Sequence, residues 1–269
     1  MLSSLLLVKL AVTMLAVVAL SLVAERLSTR LAGVLAGFPH GIAIVLYFIG
    51  VEQGAEFAAR AAGFATSGLA ANVVLAYSYA RLSARFGTGA QAVFGAAIGA
   101  VAAFLALAAL LNLIAPGPLL AIALTLATIA TIRWLLRGFQ VGEMATRPRA
   151  GFGELLARAA LAGAIVVLIT GLAALIGPGW SGLLAGFPVV TFPLLLILHL
   201  RHGPGPVGAV VRHYPFGILS LLVFTISVHW AFGALGVGLG TLFGLAASLA
   251  YLAAASLLQV RLARWRQGG

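Results

Sequence analysis

The stretch GVLAGFP at residues 33–39 returns later in the chain as GLLAGFP at residues 182–188. In both copies an apolar run is interrupted by Gly-Phe-Pro and then resumes. Proline has no amide hydrogen to donate and clashes with the preceding helical turn, and glycine loosens the chain. Each copy therefore predicts a helix that breaks inside a membrane segment.

The composition indicates a polytopic membrane protein. Of the 269 residues, 63% are hydrophobic and 8% are charged, with a mean hydropathy of +1.17, which leaves too little polar surface for a soluble globule. The net charge is +11, but the arginines are scattered between apolar runs. Topological signals explain such a pattern better than nucleic-acid binding does. The chain has no cysteine, which excludes disulfides and thiolate metal sites.

Nine stretches are long enough to cross a membrane as helices. They lie near residues 4–27, 31–51, 62–84, 90–114, 118–137, 155–176, 180–200, 214–234 and 236–258. A cytoplasmic C-terminus places every lysine and arginine except Lys9 and Arg60 on the inner side. The charge asymmetry predicts an N-terminus outside and a C-terminus inside.

The chain also predicts an internal repeat. An offset of 149 residues superposes the two Gly-Phe-Pro stretches, and a slightly larger offset after an insertion around Pro204 pairs Arg60 with Arg212. Five spans separate the starts of the two units, so the units enter the membrane from opposite sides. We expect an all-α fold with two inverted four-helix repeats. The first repeat is 1–115, a linking span and cytoplasmic loop is 116–153, and the second repeat with a basic tail is 154–269.

The two breaks predict a binding site for an anion. If Pro39 and Pro188 each start a half-helix, free amides remain at Phe38 or Phe187 and at His40-Gly41 or Val189-Val190, and such helix ends carry positive potential. The alternative is a pair of proline kinks that let helices pack closely. The expected substrate-binding residues are Gly37, Phe38, Pro39, His40, Gly186, Phe187, Pro188, Val189 and Thr191. Further polar lining is expected from among Asn72, Tyr77, Tyr79, Thr191, Thr225 and Ser227.

Ionisable residues inside a span are costly and therefore candidates for ion coupling. Glu52, Glu56 and Arg60 are spaced by four residues, on one face of a helix that would continue past the second span. They are either a proton-linked group or an exposed rim with local ion pairs. His229 is a further candidate for coupling, and Glu52 is preferred as proton carrier over His40. A histidine in a bundle is alternatively a hydrogen-bonded packing residue.

Two enzymatic readings are weaker. His199, His202 and His213 lie near one another in sequence but lack carboxylate or thiolate support for a metal. Gly179-Trp180-Ser181-Gly182 fits the G-x-S-G of rhomboid-type proteases, with His199 or His229 as a conceivable base. The chain has no aspartate, which disfavours magnesium-dependent membrane enzymes. We expect no enzymatic activity, metal or cofactor.

Residues 31–39, running through Val51-Glu52-Gln53-Gly54 to Arg60, resemble the small GlpM-type bacterial inner-membrane proteins. The shared pattern is an Ala-Gly, a Phe-Pro a few residues later, and a polar Glu-x-Gly stretch before the next span. Those proteins are about one repeat long, so this chain resembles a fused pair. The second unit departs from the pattern, because Arg201-His202-Gly203 replaces the polar stretch. The resemblance implies an inner-membrane location and no particular activity.

Together these observations predict a secondary transporter that works by alternating access. Its expected partners are the bilayer and a small anionic solute, with proton coupling as an option. One alternative is a flippase for an anionic lipid such as a polyprenyl phosphate. Another is a membrane scaffold that transports nothing. A closed polar cavity between the breaks favours the transporter, a lateral opening favours the flippase, and a packed interior favours the scaffold.

Overall fold

A computed structural model describes residues 2–26, 38–138 and 151–267, and every regular element in these ranges is helical. The predicted all-α fold is thus confirmed for this part of the chain. The helices are α1 (Leu2–Arg26), α2 (His40–Gln53), α3 (Ala55–Phe86), α4 (Ala90–Ile114), α5 (Pro118–Leu135), α6 (Phe152–Ala185), α7 (Thr191–His202) and α8 (Pro204–Gln267). A short 3-10 turn, Leu136–Gly138, follows α5.

Six helical stretches are long and apolar enough to cross a membrane, which places the protein in a bilayer environment. They are Ser4–Leu22, Ala55–Phe86, Ala90–Ile114, Pro118–Leu135, Phe152–Ala185 and Gly217–Leu258. The count of nine spans stays a prediction. Helices α2 and α7 have 14 and 12 residues, and each rises only about 20 Å, short of the roughly 30 Å hydrocarbon core.

Helix α4 shows how the sequence separates protein-facing from lipid-facing surfaces. Its inner face is a seam of mostly small residues at helical spacing: Ala92, Ala96, Ala100, Phe104, Ala108 and Leu111. Its outer face exposes bulky apolar residues: Phe94, Ile98, Leu105, Leu110 and Leu113. Small residues inside allow close helix packing, while large apolar residues outside suit lipid.

Helix α3 is the centre of the bundle and is held against α6 by close backbone contact. A Cβ added to Gly68 would lie 2.6 Å from the carbonyl oxygen of Leu183, and one added to Gly182 would overlap the carbonyl oxygen of Ala61. Glycine is required at both positions because the two backbones leave no room for a side chain. This crossing fixes the second Gly-Phe-Pro stretch beside the centre of the bundle.

Helices α6 and α8 each reverse direction at a glycine. Gly177 and Gly236 have φ values of 73° and 75°, a conformation that glycine adopts without strain. In each case a serine after the glycine reaches a backbone carbonyl before it, so the two arms are antiparallel. The arm of α6 after Gly177 is called α6b (178–185), and the arms of α8 are called α8a (204–235) and α8b (237–267).

The second Gly-Phe-Pro breaks the chain into two helices as predicted. Helix α6 ends at Ala185 and α7 begins at Thr191. At the first copy, α2 begins at His40, directly after Pro39. The apolar run before that copy, residues 27–37, lies outside the described residues.

Four glycines with positive φ share the register of the two Gly-Phe-Pro stretches. Gly54 and Gly203 follow α2 and α7, and Gly87 and Gly236 follow α3 and α8a. Each later glycine comes 149 residues after its counterpart, which is also the offset between Pro39 and Pro188.

Because this offset is the same before and after Pro204, the expected insertion there is wrong. The register places Arg212 opposite Gly63 and places Ala209 opposite Arg60. The expected pairing of Arg60 with Arg212 needs an offset of 152 residues instead of 149. It rested on the match of two arginines, without a backbone feature to fix the alignment.

Gly54 also corrects the expected acidic face. Its φ of 90° ends α2 at Gln53, and a new helix starts at Ala55. Glu52 therefore lies on a different helix from Glu56 and Arg60, and the prediction of one continuous helical face is wrong. Such a turn leaves no trace in helical spacing, because a single glycine suffices to make it.

Contacts between helix ends define two ends of the bundle. Gly203, after α7, lies beside Thr88, and Gly179, at the start of α6b, lies beside Asn112 near the far end of α4. The pair α6b and α7 therefore runs together from one end of the bundle to the other. Helix α2 runs the opposite way, since Gly50 near its C-terminus contacts Val237. These ends are called the Gly54 end and the Gly87 end.

Candidate functional site

Both Gly-Phe-Pro stretches line one cavity. Its volume is about 50 Å³, enough for roughly one or two water molecules or a small ion. The lining residues are Phe38, Pro39, His40, Gly41, Ile42, Asn72, Gly186, Phe187, Pro188, Val189, Val190, Thr191, Tyr214, Gly217, Ile218 and Leu221. Every predicted substrate-binding residue is among them except Gly37, which lies outside the described residues.

The two Phe-Pro segments fold into the same tight turn. The His40 amide donates to the Phe38 carbonyl at 2.9 Å, and the Val189 amide donates to the Phe187 carbonyl at 2.7 Å. These i to i+2 bonds close a turn around each proline. The expectation that the amides of His40, Val189 and Phe187 are free is therefore wrong, because nearby carbonyls accept from all three.

The unsatisfied amides lie one or two residues further on. No residue that the structure describes accepts a hydrogen bond from the main-chain amides of Ile42, Val190 or Thr191. Ile42 and Thr191 are counterparts at the 149-residue offset, and each sits in the first turn of a half-helix, where amides lack intrahelical acceptors. All three residues line the cavity.

The two helix N-termini meet at the cavity. A Cβ added to Gly41, in the first turn of α2, would lie 3.3 Å from Val190 Cγ2, beside the start of α7. Helix α2 leads from there to the Gly54 end and α7 leads to the Gly87 end. The positive ends of both helix dipoles therefore point at the same small space.

A neutral hydrogen-bonded pair holds one wall of the cavity. The Asn72 side chain donates from Nδ2 to the Gly186 carbonyl at 2.6 Å and accepts at Oδ1 from the Tyr214 hydroxyl at 2.7 Å. Tyr214 also lies close enough to interact with the Thr191 side chain. These contacts tie the break in the second unit to α3 and α8a without placing a charge in the wall.

His40 brings a proton-dependent group to the cavity. Its Nδ1 lies 2.9 Å from the Phe38 carbonyl oxygen, and since a carbonyl only accepts, Nδ1 carries the hydrogen. Its Nε2 is buried and has no partner among the described residues. In the neutral ring Nε2 is an acceptor, and in the protonated ring it is a donor. Within the described ranges, no Asp, Glu, Lys or Arg lines the cavity.

Glu52, the preferred coupling residue, lies elsewhere. It pairs with Lys9 at 2.6 Å, and Lys9 also donates to the Thr170 hydroxyl at 2.7 Å. The pair joins α1, the last turn of α2 and α6. Along α2, twelve residues separate Glu52 from His40, a rise of about 18 Å. Glu52 is thus part of an ion pair with the buried Lys9 at the Gly54 end rather than of the cavity.

The other coupling candidates also lie away from the cavity. Glu56 and Arg60 are exposed on α3. His229 is half-buried on α8a, where its Nδ1 donates to the Ala59 carbonyl at 2.7 Å. His229 therefore has the hydrogen bond expected of a packing residue, and the imidazole packs against Gly63.

Ser181 and His199, which were considered for a protease or a metal site, have other hydrogen-bond partners. The Ser181 hydroxyl donates to the Gly177 carbonyl at 2.7 Å, which accounts for its burial beside the reversal of α6. His199 contacts the Gly87 carbonyl at 2.7 Å through Nε2 and the Tyr79 hydroxyl at 3.1 Å through Nδ1. Within the described ranges, no group of three or more metal-ligating side chains occurs.

Of the polar side chains considered as lining, only Asn72 and Thr191 reach the cavity. Tyr79 and Thr225 instead bond to His199 and Thr66. The sequence reasoning missed Tyr214, which lies 142 residues from its partner Asn72. No local pattern signals such a pair, although α3 and α8a do begin 149 residues apart in the chain.

Comparisons with protein-family models, with curated proteins and with solved structures found no match to this chain. The resemblance to GlpM-type proteins thus stays a prediction.

Proposed function

We propose that the protein is a secondary transporter for a small anion, which binds in the cavity between the two Phe-Pro turns. The main support is the geometry of α2 and α7, whose first turns meet at one cavity while the helices lead away in opposite directions. These turns leave the amides of Ile42 and Thr191 unsatisfied at that cavity. Amides at helix N-termini bind anions through hydrogen bonds and the helix dipole. Broken helices that meet in this way are a feature of secondary transporters.

The size and chemistry of the cavity support a small solute. About 50 Å³ accommodates a small inorganic anion or a short carboxylate rather than a lipid headgroup. No carboxylate is among the lining residues that the structure describes, so nothing there compensates the positive potential of the helix ends. These properties favour a solute transporter over the flippase, and a cavity at the breaks favours it over the scaffold.

The proposed mechanism is alternating access between two inverted units, 1–115 and 154–269, in a bacterial inner membrane. The shared 149-residue register of the Pro39 and Gly54 pairs supports equivalent units. The opposite directions of α2 and α7 support their inversion. The proposed nine crossings require that α6b and α7 together make one crossing. In the proposed orientation the Gly54 end faces outside and the Gly87 end faces the cytoplasm.

His40 is the proposed proton carrier. Its Nε2 is a buried group without a partner at the cavity wall, so a protonated ring donates a hydrogen bond to a bound anion there. Anion and proton then enter the site together, which compensates the charge of both. Glu52, which already pairs with Lys9, is assigned a structural role instead.

The test is anion binding and uptake by the purified full chain. Melting temperature is measured in detergent with chloride, nitrate, formate, acetate and phosphate, and uptake of any stabilising anion is measured in proteoliposomes. Gly41→Val narrows the cavity, because a Cβ there already lies 3.3 Å from Val190 Cγ2. Gly171→Val is the matched control, since no atom lies within 4 Å of a Cβ at that position.

We expect one or more anions to raise the melting temperature of the parent and of the Gly171→Val variant, and Gly41→Val to lose at least about tenfold in affinity. Absence of stabilisation and uptake with every anion would overturn the proposal. Equal binding by the folded Gly41→Val variant would show that any anion binds somewhere else.

A further inference from the structure

A second cavity lies at the Gly87 end and shares no lining residue with the first. Its volume is about 220 Å³, and its lining residues are Arg133, Leu136, Arg137, Arg212 and His213. Arg133 and Arg137 are one helical turn apart at the end of α5, while Arg212 and His213 come from α8a. This cleft is called the basic cleft. Three arginines from two distant parts of the chain therefore face one space.

The basic cleft lies at the level where the apolar helices end. The apolar stretch of α5 ends at Leu135. Arg137 lies two residues beyond it, at the depth of lipid headgroups, and Arg212 lines the same cleft. Trp134, beside the cleft in sequence, is 65% exposed, as is typical of aromatic side chains at the membrane interface.

The local structure holds the arginines in place. Leu136 is 3% exposed and anchors the 3-10 turn that follows α5, so Arg133 and Arg137 project from a fixed backbone. Arg212 projects from α8a, a helix that packs along the centre of the bundle. Among the residues that the structure describes, no carboxylate lines the cleft, and Arg133 has a further interaction of its own. Positive-inside sorting requires arginines on this side of the membrane but does not require them to converge.

We propose that the basic cleft binds the phosphate of an anionic lipid headgroup. Arginine guanidinium groups bind phosphate through paired, charge-assisted hydrogen bonds, and two or three of them around one phosphate make a strong site. The volume corresponds to roughly seven waters at liquid density, which is room for a phosphate with part of its headgroup. Basic pockets between membrane helices on the cytoplasmic side are suited to this role.

The test is native mass spectrometry of the full chain titrated with dioctanoyl phosphatidylglycerol, with dioctanoyl phosphatidylcholine and with inorganic phosphate. Arg137→Gln/Arg212→Gln removes two charges from the cleft. Arg85→Gln/Arg201→Gln removes two charges from exposed positions at the same end of the bundle, and serves as the matched control. Arg137→Lys/Arg212→Lys keeps the charge but loses the planar fork.

We expect one phosphatidylglycerol to bind, with affinity lowered on the order of thirtyfold in the Gln cleft variant, by an intermediate factor in the Lys variant and little in the control. Equal losses in the cleft variant and in the control would overturn the proposal, because they indicate diffuse attraction to positive charge. Equal affinity for phosphatidylcholine would also overturn it. If inorganic phosphate binds as tightly as the lipid and displaces it, the ligand of the cleft is free phosphate and not a lipid headgroup, and the proposal is overturned.

Discussion

Lys9 and Glu52 form an ion pair of 2.6 Å in which the lysine is only 4% exposed. The Thr170 hydroxyl satisfies the same ammonium group at 2.7 Å. A charge pair of this kind joins three helices at the Gly54 end, and it explains why a lysine is tolerated inside the apolar stretch of α1. Removal of one partner leaves the other charge buried, which costs more than removal of both.

Glu52→Gln should therefore destabilise the protein by about 2 to 3 kcal/mol, since Glu52 is not fully buried and the penalty is smaller than for a sealed pair. The double variant Lys9→Met/Glu52→Gln should recover part of this loss. Reversible unfolding in detergent measures both. Additive effects of Lys9→Met and Glu52→Gln would show that the two groups do not interact.

The amino-acid sequence predicts the helices well where apolar runs are uniform and bounded. The span at 90–114 coincides with α4 (Ala90–Ile114), because Gly89 precedes it and Ala115-Pro116 follows it. The break at Gly54 escaped prediction, because one glycine with positive φ does not disturb the surrounding pattern. Glu52 and Glu56 were assigned to one face for that reason.

The location of the candidate site was also accessible from the repeated Gly-Phe-Pro, but its chemistry was not. The amides at Val189 and His40 are used within the turns, and those at Ile42 and Thr191 are the unsatisfied ones. Tyr214 depends on the packing of α8a against α3, which no local spacing encodes. Gly186 has an ordinary φ of −68°, so a glycine is needed there because the backbone of Gly68 lies close to it.

The contact between α3 and α6 predicts a sharp difference between two glycines of α6. Gly182→Ala places a methyl group against the Ala61 carbonyl, so we expect a loss of at least about 1 to 3 kcal/mol in unfolding free energy. Gly171→Ala faces open space on the same helix, and should be neutral or stabilising by up to about 1 kcal/mol. Thermal unfolding compares the two. A neutral Gly182→Ala would contradict the close crossing.

The proposed inverted topology predicts opposite exposure for two exposed residues that lie at equivalent helix junctions. Glu56 follows Gly54 and His202 precedes Gly203. In the cysteine-free parent, Glu56→Cys should react with a membrane-impermeant maleimide in whole cells, and His202→Cys should react only after the membrane is permeabilised. The parent chain gives the background. Labelling of both from the same side would exclude inverted units.

The final prediction concerns the pH dependence of anion binding. A protonated His40 donates from Nε2 to a bound anion, whereas a neutral ring presents a lone pair that repels it. Affinity should therefore rise as pH falls, and anion-induced stabilisation should grow from about pH 8 to about pH 5. Among the described lining residues His40 and Tyr214 alone are titratable, and tyrosine stays neutral in this range.

His40→Gln should abolish the pH dependence, while His202→Gln, at an exposed position, should leave it unchanged. The measurement is the anion-induced change in melting temperature across pH for the three proteins. An unchanged pH profile in His40→Gln, with binding retained, would remove His40 from the coupling mechanism and leave the helix amides as the whole of the site.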